Sequence, residues 1–400
     1  MSYKIVAKQP SILWSDINEI NDRIDAKYYH CDYMVFNIKN YGEFEIKSLK
    51  QCVNFFETGV SNFNDGNIKL KRLETSNIQN GFILYQDLTD CVVPERDKKK
   101  ILCKGDVVLT TYGTGSIGKV AYVNFDTQII PDYTIAILRT KKTIDSGYLA
   151  SFLGSIYGKQ QIMRRVIGTS GITLVIKPHL IDIQIPIPSP EIQKYIGDKV
   201  RKAEELREEA KRLKKEAETF LYEMIQLKPL NDFDKDMFSF VNSNYIDSER
   251  LDSEYYKTKY ITLEKLLKSK KVTSFKDIII ESKYGASVPA DYTMVGIPFI
   301  RGNNLTDNEI NIDDIVYLNK KLKDEVKDHH VNTGDILITR SGTVGISAVV
   351  DEKCDGFSFG SFMIKLRIDM RIWNPYYIAA FLNSFWGKWQ IERLQNGAVQ

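Results

Sequence analysis

Tyr148-Leu-Ala-Ser-Phe-Leu-Gly-Ser-Ile-Tyr-Gly-Lys-Gln-Gln-Ile162 returns as Tyr377-Ile-Ala-Ala-Phe-Leu-Asn-Ser-Phe-Trp-Gly-Lys-Trp-Gln-Ile391, 229 residues further on (148 to 377). Working outward, Gly105-Asp-Val-Val-Leu-Thr110 returns as Gly334-Asp-Ile-Leu-Ile-Thr339 at the same offset (105 to 334). Arg23-Ile-Asp-Ala-Lys-Tyr-Tyr29 returns as Arg250-Leu-Asp-Ser-Glu-Tyr-Tyr256 at 227 (23 to 250). Blocks in one order at nearly one spacing are the mark of internal duplication. The chain holds two copies of one domain.

Four hundred residues, 43% hydrophobic and 11% aromatic against 27% charged, suit a folded chain of more than one core. No apolar run approaches the ~18 residues of a membrane span, and the start Met1-Ser-Tyr-Lys4 has no secretory pattern. The expected compartment is the cytoplasm, with no membrane partner. Cys31, Cys52, Cys91, Cys103 and Cys354 lie far apart without a Cys-x-x-Cys, and with four histidines they imply neither a zinc site nor a disulfide framework. Reduced thiols and no metal are expected. The net charge of +3 is spread as +4 over 1–189 (23 basic, 19 acidic), +1 over 190–228 (10, 9) and −2 over 229–400 (22, 24). Binding of nucleic acid would therefore rest on basic groups gathered on one face.

Within each copy, Val107-Val-Leu-Thr110 and Ile336-Leu-Ile-Thr339 read as buried strands entered through a Gly-Asp turn. Asn374-Pro375 reads as a helix cap with proline at the first helical position. Residues 54–67 and 280–290, rich in Gly, Asn, Asp and Ser, read as loops, and Leu180–Ile187 as a strand. From Glu191 to Leu227 there is no proline and one glycine, and Ala203, Leu206, Ala210, Leu213, Ala217, Phe220 and Met224 recur in steps of three and four. That is a helix with a coiled-coil seam, which needs a helical partner. Continuous, its 37 residues would span roughly 55 Å. The expected fold is α+β: two homologous mixed α/β domains, 1–189 and 229–400, joined by a long coiled-coil-type helix, 190–228. Gln400 stands opposite Gly171, so the sequence given holds no counterpart of 172–228: either it is cut short or the natural protein lacks its distal helix.

Gly113-Thr-Gly-Ser-Ile-Gly118-Lys119 satisfies the spacing of a dinucleotide loop and most of a phosphate loop. Either would have to open a helix. Val120-Ala-Tyr-Val-Asn-Phe125 is strand-like instead, so a glycine turn between two strands is the preferred reading. A nucleotide-dependent enzyme using Gly113–Lys119 is the rival, and a non-DNA scaffold is a second. Asn374-Pro-Tyr-Tyr377 is similar to the Asn-Pro-Pro-Tyr loop of amino-methyltransferases but lacks its second proline. Pro131-Asp132 has no strand-borne Glu-x-Lys after it, and neither His30 nor His179 sits near a convincing nucleophile. His329-His330 reads as a solvated pair. No catalytic residue is assigned.

The remaining polar groups cluster at strand ends in matching places. Thr111, Tyr112, Thr114, Ser116 and Lys119 in one copy, and Arg340, Ser341 and Thr343 in the other, put hydroxyls, an aromatic and cations on tight turns that can reach phosphates or base edges. Arg301, Asn303 and Asn304 form another such turn. Arg340 and Arg301 suit guanine, and Asn303 or Asn304 adenine, by their paired donors and acceptors. Thr111 stands opposite Arg340 and Glu74 opposite Arg301, so the two copies would read different sequences.

The ordered set of paired blocks, with Ile185-Pro-Ile-Pro-Ser-Pro-Glu-Ile-Gln193 leading into a long helix, resembles the specificity subunit of Type I restriction-modification systems. The resemblance implies two target-recognition domains, each reading half of a split double-stranded DNA site. It also implies helices that dock methyltransferase subunits. S-adenosylmethionine, ATP and Mg would then sit on partner subunits, the last two with a motor-nuclease subunit, and none on this chain. With its distal helix absent, the central helix is expected to associate with a second copy of itself.

Overall fold

The computed structural model describes residues 28, 44–85, 88–168, 173–225, 240–246, 250–293, 295–312 and 314–395. Arg23–Tyr29 other than Tyr28, His30, Cys31, Gly171, the junction at 228/229 and Gln400 lie outside the described residues. The chain divides into two compact units, Met1–Lys211 and Arg212–Gln400.

The first unit contains β1 (Glu45–Ser48), β2 (Val53–Thr58), β3 (Ile68–Leu73), β4 (Thr89–Val93), β5 (Val107–Thr110), β6 (Val120–Tyr122), β7 (Ile129–Pro131), β8 (Ile135–Thr140) and β9 (Gln184–Ile187). Its longer helices are α1 (Ser146–Gly154), α2 (Ile156–Arg164) and the opening turns of α3 (Pro190–Ile225). The strands form an antiparallel sheet in the order β2-β8-β5-β6, a second sheet β4-β3-β7 and the pair β1-β9. The main sheet is covered on both faces, which is why β5 and β8 read as unbroken apolar runs. Val107, Leu109, Ala136 and Leu138 point to a core with α1, while Val108, Ile135 and Ile137 point to another with Leu73, Ile78 and Leu102.

The second unit contains β10 (Ile279–Tyr284), β11 (Tyr292–Thr293), β12 (Ile297–Ile300), β13 (Leu305–Thr306), β14 (Glu309–Ile310), β15 (Val316–Leu318), β16 (Ile336–Thr339), β17 (Ser347–Val349), β18 (Ser358–Phe359) and β19 (Met363–Ile368). Its longer helices are the end of α3, then α4 (Thr258–Lys268), α5 (Pro375–Asn383) and α6 (Phe385–Arg393). The sheet order β10-β19-β16-β17 repeats β2-β8-β5-β6 strand for strand. The parallel pair β12/β18 repeats β3/β7. Even the register slip in the edge strand recurs, between Val53 and Phe55 and between Ile279 and Glu281.

The repeated sequence blocks turn out to be fasteners. Asp106, buried behind Gly105 at φ +92°, takes Nε of Arg139 at 2.8 Å and the backbone N–H of Cys103. Asp335, behind Gly334 at φ +89°, takes Nε of Arg367 at 2.7 Å and the N–H of Asn332. Burial pushes the Asp106 carboxyl up, while the hydrogen bonds from Arg139 and Cys103 hold it down. Ser155 and Ser384 cap α2 and α6, accepting from Gly158 and Gly387. A Cβ on Gly158 would meet the Phe152 carbonyl at 2.4 Å, and one on Gly387 the Phe381 carbonyl at 2.3 Å, so both positions need glycine. Arg164 lies over the Tyr28 ring at 3.9 Å and Arg393 over Tyr255 at 4.2 Å, which explains the Tyr-Tyr block.

Three expectations need correcting. The segments 54–67 and 280–290 are not wholly loops, because Val53–Thr58 and Ile279–Tyr284 pair with β8 and β19 as edge strands and only the glycine-containing remainder turns. Leu180 ends the short helix Lys177–Leu180, and the strand begins at Gln184. His329 and His330 are half-buried, with Nδ1 atoms 2.8 Å from the Tyr284 carbonyl and 3.1 Å from that of Gly356.

One unbroken helix, α3, runs from Pro190 to Ile225. In the first unit its opening turns lie against α1, where the Gly197 Cα is 2.7 Å from a Cβ built on Gly147 and Arg201 pairs with Asp145 at 2.9 Å. In the second unit its last turn buries Leu221 beside Leu263 and Trp386. The seam residues Leu206, Ala210, Leu213, Ala217, Phe220 and Met224 are exposed, and Ala203 is half-buried.

Candidate nucleic-acid interface

At one end of each main sheet, three pieces of backbone are tied together in the same way. Thr111 N–H donates to the Thr134 carbonyl, Gly59 to Ile135 and Tyr133 to Val60. In the second unit Arg340 donates to Phe362, Gly285 to Met363 and Ser361 to Ala286. Gly59 and Gly285 permit this contact, since a Cβ would fall 2.0 Å from the Pro131 oxygen or 2.2 Å from the Gly360 oxygen.

The adjoining glycine loops are hairpins. Residues 111–119 join antiparallel β5 and β6, and 340–346 join β16 and β17. Thr110 and Thr339 are buried and clamp these loops from inside, Thr339 Oγ1 donating to the Thr343 carbonyl at 2.6 Å and Thr110 Oγ1 to that of Ser116. Gly113, Gly115 and Gly118 have φ of +95°, +82° and +84°, conformations that favour glycine. Strand β6 follows Lys119 directly, so the loop does not open a helix, as a phosphate cradle of this spacing requires.

On this scaffold the exposed side chains differ. The first unit presents Tyr133, 50% exposed, with Tyr112 edge-on at 6.1 Å. Thr114 and Gly115 form the exposed tip of its loop, with Ser116 and Lys119 half-buried. The second presents Arg340 over the exposed ring of Tyr284 at 4.6 Å, with Phe362 exposed beside them. Thr343 is exposed in the hairpin and Ser341 half-buried. The turn 301–304 abuts the cluster, with the Gly302 Cβ position 3.8 Å from Phe362 Cβ. Asn303 is exposed on that turn, and Arg301 is held by the Asp314 carboxylate at 2.8 Å.

Two candidate residues belong to the scaffold and not to the exposed face. Thr111 is buried and its hydroxyl donates to the Thr134 carbonyl at 2.8 Å. Asn304 is fully buried, accepting from Arg301 N–H and donating to the Asn311 and Asp314 carbonyls, so its amide is unavailable to adenine. Asn77 repeats its cap at Glu74. Tyr133, Tyr284 and Phe362 went unnoticed in the sequence. The signal was an aromatic at each strand end, obscured because aromatics at strand ends are usually core.

Among the described residues, no cluster of three His, Cys, Asp or Glu could hold a metal, and no helix is long and apolar enough to cross a membrane. Asp132 is buried and accepts from Thr134 N–H at 2.9 Å, a turn-making role. Asn374 caps α5 through the N–H groups of Tyr376 and Tyr377, with Pro375 opening the helix.

Solved structures resemble the chain at low identity. One, on complex assembly and conformational transition of the type I R-M system, is 16% identical over 85% of this chain and 78% of that one, with a TM-score of 0.31. The HsdS subunit from Thermoanaerobacter tengcongensis is 16% identical over 85% and 79%, TM-score 0.30. The Type-I restriction-modification S subunit from M. genitalium is 12% identical over 88% and 79%, TM-score 0.43. No curated protein matches the chain. The family model for the Type I restriction modification DNA specificity domain does match, from 41 to 219, taking in the whole first sheet, its glycine hairpin and most of α3. Over those residues the chain is similar to the Type I restriction modification DNA specificity domain.

Proposed function

We propose that this chain is the sequence-reading subunit of a Type I restriction-modification complex, binding a bipartite double-stranded DNA target with one unit per half-site. The observation that carries the reading is a shared strand-end scaffold bearing unlike exposed groups, Tyr112 and Tyr133 in one copy, and Arg340, Tyr284 and Phe362 in the other. Arginine matches the paired acceptors of guanine, and exposed rings pack on sugars, methyl groups or unstacked bases. Joining the units makes the second half-site encounter intramolecular, so two weak readings combine into one selective event.

The chain itself is non-catalytic in this reading. Methyltransferase subunits dock through α3 and bring S-adenosylmethionine, and a motor-nuclease subunit brings ATP and Mg. All would act in the cytoplasm. The exposed seam Leu206, Leu213 and Phe220 supplies the apolar stripe for a partner helix, a second α3 included. The test is selection from randomised duplexes with a methyltransferase subunit present. A gapped consensus in which Arg340→Ala relaxes one half only supports the reading. An unchanged consensus, or changes spread over both halves, refutes it.

A further inference from the structure

The antiparallel register of β16 and β19 sets Thr339 opposite Met363, and that of β5 and β8 sets Thr110 opposite Ile135. One step further out, Arg340 faces Phe362 and Thr111 faces Thr134, the N–H of the first donating to the carbonyl of the second at 2.9 Å and 2.8 Å. Side chains directly opposite across an antiparallel pair leave the same face of the sheet, with Cβ atoms about 5 Å apart. The two copies thus carry one cross-strand pair at one place.

They fill it with opposite chemistry. In the first unit both side chains are bonded inside the fold, the Thr111 hydroxyl to the Thr134 carbonyl at 2.8 Å and the Thr134 hydroxyl to the Asp132 carboxylate. In the second, Arg340 is exposed and Phe362 is 62% exposed, although Phe359 and Met363, before and after it in the chain, are fully buried. The scaffold does not call for this ring, since the first copy makes the same tie with a threonine. Nor is the ring loosely held. Gly360 N–H donates to the Ile300 carbonyl at 3.0 Å and Ser361 N–H to that of Ala286 at 2.9 Å, fixing the backbone that leads into Phe362.

An apolar face and a guanidinium therefore project side by side, at a spacing comparable with the ~3.4 Å rise from one base pair to the next. In the major groove guanine offers O6 and N7 to an arginine, and among the four bases only thymine offers a methyl group. We propose that Phe362 is a second specificity-determining residue of the second unit, its ring packing on the methyl group of a thymine in the base pair adjoining the guanine taken by Arg340. The inference rests on the DNA reading and adds to it the base that the ring takes. The first unit, with Thr111 and Thr134 bonded internally, makes no such contact at this place.

The test uses the full chain with a methyltransferase subunit and the duplex selected from random sequence. Each thymine is replaced in turn by deoxyuridine, which removes the methyl group and keeps every hydrogen-bonding edge. One such change, next to the guanine whose preference depends on Arg340, should weaken binding about fourfold, the worth of one buried carbon group. Phe362→Ala should lower binding of the thymine duplex to the deoxyuridine level and leave the latter unchanged. The guanine preference and the salt dependence should persist, because the ring carries no charge. Phe362→Leu should restore part of the methyl preference, and the exposed position should leave melting curves unchanged. A gapped consensus with no methyl effect in the Arg340-dependent half, or with one that survives Phe362→Ala, would overturn the inference and leave the DNA reading standing. Equal weakening of both duplexes by Phe362→Ala would make the ring a wedge between base pairs, and overturn it too. Absence of any gapped consensus would end the DNA reading and this inference with it.

Discussion

Arg340 lies over Tyr284, its guanidinium carbon 4.6 Å from the ring centroid, at the backbone position where the other copy buries Thr111. The ring and a hydrogen bond from Nη1 to the Ser361 carbonyl at 3.4 Å hold the exposed side chain in place, an arrangement suited to a base edge. Arg340→Ala should cost about 1–3 kcal/mol of DNA binding and relax selectivity in one half-site. Arg340→Lys should keep most of the salt dependence and lose the preference. Binding titrations against single-base variants of the target would show both.

The helix junctions give the sharpest stability test. Gly158→Ala and Gly387→Ala each drive a methyl into a carbonyl that sits 2.4 or 2.3 Å from the new carbon. Each should destabilise by about 1–3 kcal/mol, measured by urea unfolding. Ala substitution at Gly342, which has open space around it but φ of +76°, should cost less.

Removal of Asp335 leaves Arg367 with one carboxylate, Glu281 at 2.9 Å. Removal of Asp106 leaves Arg139 over the Phe55 ring with the Lys99 and Ile101 carbonyls and the Cys103 sulfur as its hydrogen-bond partners. Asp106→Ala should therefore be the more damaging of the two, costing about 3 kcal/mol or more. Thermal melting of the two variants side by side decides the order.

Glu264 receives Lys268 and Arg393, and these hydrogen bonds hold its carboxyl below the ordinary 4.5. The folded chain therefore takes up this proton less readily than the unfolded one, and the linked stability is present above pH 4.5 and fades as pH falls below it. Glu264→Gln should lower the melting temperature at pH 7, and the gap from the parent should close towards pH 3.

Burial pushes the Cys52 and Cys354 thiols up to about 11, whereas Cys103 is exposed. Among Cys52, Cys91, Cys103 and Cys354, brief alkylation at neutral pH should mark Cys103 first, and peptide mass mapping would read the order.

The duplication, the buried strands, the Asn374 cap and the unbroken central helix were legible because each rests on local chemistry: a repeat, a β-branched run, a capping side chain, a seam. The edge strands β2 and β10 were not. The Gly, Asn, Asp and Ser residues that mark 54–67 and 280–290 as loops lie mostly beyond these strands, and only pairing with β8 and β19 makes Val53–Thr58 and Ile279–Tyr284 extended. The site was half legible. Arg340 and the hairpin tips could be found from turn residues, but whether a polar side chain in a turn faces outward depends on contacts distant in sequence. Asn303 and Asn304 are neighbours, yet one is exposed and the other serves as an internal bracket for 301, 311 and 314.

The recurring Asp–Arg clasp has a consequence for descent. Because each lobe carries its own Asp–Arg clasp, and the ties from the scaffold to the hairpin tips run through backbone groups, the exposed side chains of the tips can change without unfolding either lobe. A chimera whose second-lobe hairpin, residues 340–346, is replaced by residues 111–119 should still fold, and would set Thr111 and Tyr112 in place of Arg340 and Ser341 beside the unchanged Tyr284 and Phe362.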